Sequence, residues 1–92
     1  MLEAVKLALR VKSKAYDAEI QDLISAAVME LEGAGVDAGA LSTDPRVLMA
    51  VKLYCKAFFG KYDGPDEGYY NAFDRLRSAI ALYRGNAAEV VE

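Results

Sequence analysis

Three kinds of side-chain group in this 92-residue sequence could carry covalent or acid–base chemistry: the single thiol Cys55, the close carboxylates Asp17, Glu19 and Asp22, and the phenols of six tyrosines. A thiol nucleophile needs a neighbouring base, and the chain contains no histidine to supply one. One cysteine forms no internal disulfide and cannot build a Cys/His zinc site. Cys55 also falls on an apolar helical face, where a small buried hydrophobe is expected. A carboxylate pair works as acid and base only where an apolar pocket raises one pKa, and 17, 19 and 22 lie on the exposed flank of a helical pattern. Most tyrosines occupy core-facing positions at helical spacing, so they are read as packing and not as a platform for single strands. The segment GAGVDAGALSTD is dense in glycine (Gly33, Gly35, Gly39), yet no GK[ST] follows and no strand precedes it, as a phosphate loop requires. The expectation is a protein without catalytic residues, cofactor or metal.

The elements that position these residues are all helical. From Asp44 to Gly60, DPRVLMAVKLYCKAFFG, the residues Val47, Leu48, Val51, Tyr54, Cys55, Phe58 and Phe59 recur on one helical face. Ala50, Leu53 and Ala57 form a second apolar row, leaving a narrow strip of Met49, Lys52 and Lys56. Other helices must therefore surround this one. Asp44 can cap it, Pro45 suits its first position, and Gly60 can end it. Leu2, Val5 and Leu9 make a short helix that must dock to be stable, and Arg10 to Tyr16 read as a connection. Asp17 is placed to cap a helix whose inner face is Ile20, Leu23, Ile24, Ala27, Val28 and Leu31. Glu19, Asp22 and Glu30 share one flank of it, and Met29 points outward. The glycines then turn the chain, with Val36 and Leu41 pinning the loop. KYDGPDEG is turn chemistry with Asp66 as a cap. In the last helix Tyr69, Phe73, Leu76, Ile80 and Tyr83 make the inner face. Tyr70, Arg77 and Arg84 gather beside it as an aromatic–arginine surface of the kind interfaces favour, and Leu82 lies opposite. Gly85 is read as closing this helix. The predicted fold is all-α, a small bundle of about four helices (2–9, 17–32, 44–60, 66–84) around a central apolar helix. Residues 1–84 form a single domain, and 85–92 a C-terminal tail free to fray or to order on a partner.

Net charge is −3, which argues against a general nucleic-acid binder. The helix from Asp44 is too apolar to be the recognition helix of a helix-turn-helix. The hydrophobic fraction is 54%, yet no apolar run approaches the roughly 18 residues that span a bilayer, and MLEAVKLALRVK lacks the regions of a secretory signal. Charge comes in blocks. Lys6, Arg10, Lys12 and Lys14 are basic; Asp17, Glu19, Asp22, Glu30, Glu32, Asp37 and Asp44 follow with no cation among them; then come Arg46, Lys52, Lys56 and Lys61. Two readings stand. The blocks are solvated faces whose helices attract one another within the fold, or an acidic face of one subunit meets a basic face of the next.

The segments VKLALRVKSKAYDAEIQDLISAAVMEL, with its D-x-E-I-x-x-L-I-x-A-A helix, DPRVLMAVKLYCKAFFGKYD and YYNAFDRLRSAIALY together resemble the small head-to-tail connector proteins of tailed bacteriophages. The likeness is one of order and spacing and reaches to about Arg84. It implies a non-enzymatic helical subunit that forms a closed ring of about a dozen copies. Such a ring joins the portal protein to a tail or stopper protein and lets DNA pass without specific binding. It further implies a virion protein assembled in the bacterial host cytoplasm, with no membrane partner. The candidate contact residues are Glu19, Asp22, Glu30, Met29, Met49, Lys52, Lys56, Tyr70, Arg77, Leu82 and Arg84. The competing expectation is a small cytoplasmic helical regulator or adaptor that binds one protein partner and makes no ring.

Overall fold

A row of small and β-branched residues, Val47, Ala50, Val51, Cys55 and Ala57, gives the helix Pro45–Phe58 a face that neighbours can approach closely, and all five are buried. In the computed structural model this helix, α3, is packed by three others: α1 (Leu2–Leu9), α2 (Asp17–Gly33) and α4 (Glu67–Val91). The structure describes residues 1–37 and 44–91, the side chains of 83–91 excepted. Among the described residues no strand occurs, and the expected all-α bundle around a central helix is what the chain forms. Leu41 and the side chains of Tyr83 and Arg84 lie outside the described residues.

The core lies where Ile20, Ile24, Ala27 and Leu31 of α2 meet the α3 face, closed by Val5 from α1 and by Phe73 and Ile80 from α4. Each of the Val, Ile, Leu and Phe side chains among them contributes about 1.5–3 kcal/mol on burial, and the Ala27 methyl about 0.8 kcal/mol. Four rings, Tyr54, Phe58, Tyr70 and Phe73, stack in tilted and edge-on pairs at centroid distances of 4.6 to 6.0 Å and bind α4 to α3.

Both ends of α3 follow local chemistry. The Asp44 carboxylate accepts from the Arg46 N–H at 2.9 Å, Pro45 occupies the first turn, and Gly60 turns the chain out at φ +71°. At α4 the Asp66 carboxylate accepts from the Tyr69 N–H at 3.1 Å, as a cap should. The end of α2 is a Schellman turn: Val36 N–H donates to the Leu31 carbonyl and Gly35 N–H to Glu32, with Gly35 at φ +99°. Val36 is buried there, pinning the loop as its sequence position suggests.

Four expectations are corrected. Asp17 does not cap α2; Tyr16 holds that position after a 3-10 turn over Lys14–Tyr16, and Asp17 is taken by an ion pair with Lys6. The connection 10–16 is thus partly structured, with Ser13 accepting from Ala15 N–H. Tyr69 is not on the inner face: Tyr70 faces in, and Tyr69 is 42% exposed. The inner row is Tyr70, Phe73, Leu76 and Ile80, with Leu76 packed against the core as its spacing predicts, and Arg77 covers the row from the side by lying over the Phe73 ring. Lastly, α4 does not close at Gly85 but continues to Val91. A glycine costs a helix interior roughly 1 kcal/mol without stopping it, and no proline follows. Its 25 residues reach about 37 Å at 1.5 Å each, which accounts for most of the molecule's 48 Å length.

Candidate functional surfaces

The one thiol is held out of reach. Cys55 is fully buried in α3, and burial pushes its thiol up to about 12, so it stays protonated and unreactive. The Tyr54 phenol is also raised, first by burial and then by the charge of Glu30 and by Tyr70 and Cys55. Among the described residues no group of three or more potential metal ligands occurs, and no helix is long and apolar enough to cross a membrane.

What the molecule does present is charge and exposed apolar side chains. Lys6 is nearly buried on α1, and its ammonium meets Asp17 at 2.6 Å, fastening α1 to the start of α2. Arg77 reaches from α4 to Glu30 on α2 at 3.2 Å, pairs with Asp74 on its own helix, and lies over the Phe73 ring at 5.4 Å. Glu30 and Arg77, placed by their sequence positions on separate candidate surfaces, therefore meet within one chain. Part of the block pattern is internal attraction between helices.

Another part forms no ion pair with any described residue. Glu19 and Asp22 are exposed on the outer flank of α2, and no ion pair joins either to a described residue. Lys52 and Lys56 are half-exposed on α3, with the Lys56 ammonium 5.5 Å from the centre of the Tyr69 ring. Met29 is 71% exposed, Leu82 66% and Met49 57%. The helical spacing places all three off the core-facing rows, and there they lie. Tyr70 is half-buried among its neighbouring rings, so only part of it is presented outward.

Three features are not evident from the sequence. Leu7 is 80% exposed, off the Leu2–Val5–Leu9 face of α1. Beside it runs an open groove of about 550 Å³ lined by Lys6, Leu7, Ala8, Arg10, Val11, Lys12 and Lys56. The basic run Lys6–Arg10–Lys12 was visible in the sequence, but the approach of Lys56 from another helix was not. A second hollow of about 470 Å³ lies among Val11, Tyr16, Glu19, Phe58, Phe59, Gly60, Lys61 and Tyr62. Tyr16 meets Phe59 edge-on there at 5.6 Å, and Tyr62 is almost wholly exposed.

Compared with known protein families, residues 1–84 match the family described as phage connector protein. The same comparison with curated proteins and with solved structures finds no match.

Proposed function

This chain belongs to the phage connector protein family, and from that premise we propose that it is a head-to-tail connector subunit, assembling into a ring between a portal protein and a tail or stopper protein. The observation that carries the reading is the reach of the family match, which spans α1, α2, α3 and most of α4 and leaves out only residues 85–92. Connector proteins are structural and non-enzymatic components of the virion, and the chain's chemistry suits that role. Its thiol is buried and protonated, while its outer flanks carry opposite charges.

In this reading Glu19 and Asp22 belong to one subunit contact and Lys52 and Lys56 to another, since contacts between two different faces close into rings. Met29, Met49 and Leu82 supply apolar area to those contacts, and α4, the longest element, reaches toward a neighbouring ring. A net charge of −3 suits a channel through which DNA slides without sticking. The test is to mix the purified chain with the portal protein of its phage and image the product by electron microscopy. A ring of added density on one end of the portal, with an open centre, is the expected result. Portal particles unchanged by a large excess of the chain would refute it.

A further inference from the structure

The groove beside α1 differs from an ordinary ligand pocket, whose lining is mostly apolar. Four of its seven lining residues are cations, and none is an acid. Only Lys6 is neutralised, by Asp17; Arg10, Lys12 and Lys56 have no ion-pair partner among the described residues. The unpaired like charges of Arg10 and Lys12 at this hollow repel one another, and an acidic occupant relieves that repulsion. Lys56 also lines the hollow, with its ammonium over the Tyr69 ring of α4.

Arg10 adds an independent sign. It stands just past α1 in a Schellman turn, with Val11 N–H donating to the Lys6 carbonyl and Arg10 N–H to Leu7. Its backbone is left-handed, φ 59° and ψ 40°, where glycine is the usual occupant. The equivalent turn after α2 does use glycine, at Gly35. At the groove a guanidinium is kept despite the strain, and such retained strain is a mark of functional positions.

We propose that this groove receives the Glu19–Asp22 flank of α2 from a second copy of this chain, forming the subunit-to-subunit contact of the connector ring; the proposal rests on the connector reading above. The two carboxylates sit three residues apart on one helix face, about 5–6 Å between Cβ atoms. They are exposed, and neither lines the groove of its own chain. The groove's apolar members, with Leu7 projecting at its edge, offer the incoming helix area to cover. Groove and flank adjoin at Val11, which lines both the groove and the hollow beside Glu19, but Glu19 and Asp22 are not groove residues. Each copy therefore offers the groove to one neighbour and the flank to the other, and the contact propagates until the ring closes. A nucleic-acid strand is disfavoured as occupant, since the cations crowd one short hollow and the chain as a whole is negative.

The test uses full-length chain in analytical ultracentrifugation at low and high salt, alone and with the portal protein. Arg10→Glu with Lys12→Glu reverses the groove, and Glu19→Lys with Asp22→Lys reverses the flank. Each double variant is expected to assemble at least tenfold more weakly than the unaltered chain. An equimolar mixture of the two is expected to assemble again, because the reversed groove of one matches the reversed flank of the other. Arg10→Gly serves as a folding control: its thermal midpoint holds or rises while assembly weakens. Where a reversed variant fails to fold by circular dichroism, Arg10→Gln with Lys12→Gln takes its place with the same expected loss. Rings that form unchanged in both double variants overturn the groove assignment and leave the connector reading standing. No assembly of the unaltered chain, alone or with portal, removes the connector reading and the groove with it. Binding of a short DNA duplex that the groove variant abolishes makes the groove a phosphate site and overturns the proposal.

Discussion

Arg10 holds a conformation that costs a residue with a Cβ roughly 1–2 kcal/mol. Arg10→Gly is therefore expected to leave stability unchanged or raise it by up to about 1 kcal/mol, glycine's extra chain entropy offsetting part of the relief; urea unfolding measures it. A loss above that size would mean that the guanidinium supports the fold itself. Asp17→Asn leaves the nearly buried Lys6 ammonium without its countercharge. Because Asp17 is one-third exposed, the loss should be about 2 kcal/mol, below that of a fully buried pair. Cys55 gives a pH signature. Its thiol is raised from 9.0 to about 12 in the fold, so its contribution to stability is intact below pH 9 and is lost as pH rises from about 9 through about 12. The slope approaches about 1.4 kcal/mol per pH unit. Tyr54, raised as well, adds loss of the same sign above pH 10. Unfolding midpoints between pH 8 and 11 should fall less steeply in Cys55→Ala than in the unaltered chain; equal slopes would contradict the burial of the thiol.

Among the elements, α3 and α4 form the most extensive pairing, and Phe73 is the largest fully buried side chain in it. Phe73→Ala empties the centre of the four-ring cluster and removes the surface under Arg77, a loss of about 3–5 kcal/mol in chemical denaturation. Gly85→Ala is expected to raise helicity and add up to about 1 kcal/mol, since Gly85 sits inside α4; a loss would place Gly85 at a left-handed helix end. Most of this architecture was legible in the sequence. Spacing of apolar residues located all four helices, and Asp44, Pro45, Asp66 and Gly60 marked ends because capping is local chemistry that a few neighbouring residues decide. What spacing could not give depends on distant partners. Asp17 looks like a cap until Lys6 of another helix claims its carboxylate. Tyr69 and Tyr70 differ by one position, and the ring of Phe58 decides which turns inward. Gly85 resembles a stop, because a glycine in a helix and a glycine after one read alike.

For the whole molecule, the question is how much of its charge pattern is consumed inside. Lys6–Asp17 and Arg77–Glu30 fasten helices to each other, so those blocks were partly self-complementary. Glu19, Asp22, Lys52 and Lys56 remain outward, and which charges would remain could not be read before the helices were docked. Lys52→Glu with Lys56→Glu is expected to weaken ring formation, most visibly at low salt where screening is least, while leaving the chain helical; circular dichroism and ultracentrifugation together separate the two effects. The most direct measurement of the central claim, that these surfaces exist for assembly onto a phage head, is native mass spectrometry of the chain mixed with the portal protein of its phage. The account predicts a discrete complex heavier than the portal by a whole-number set of 10.0 kDa subunits. A portal mass that stays unchanged while the chain remains a free monomer would contradict it.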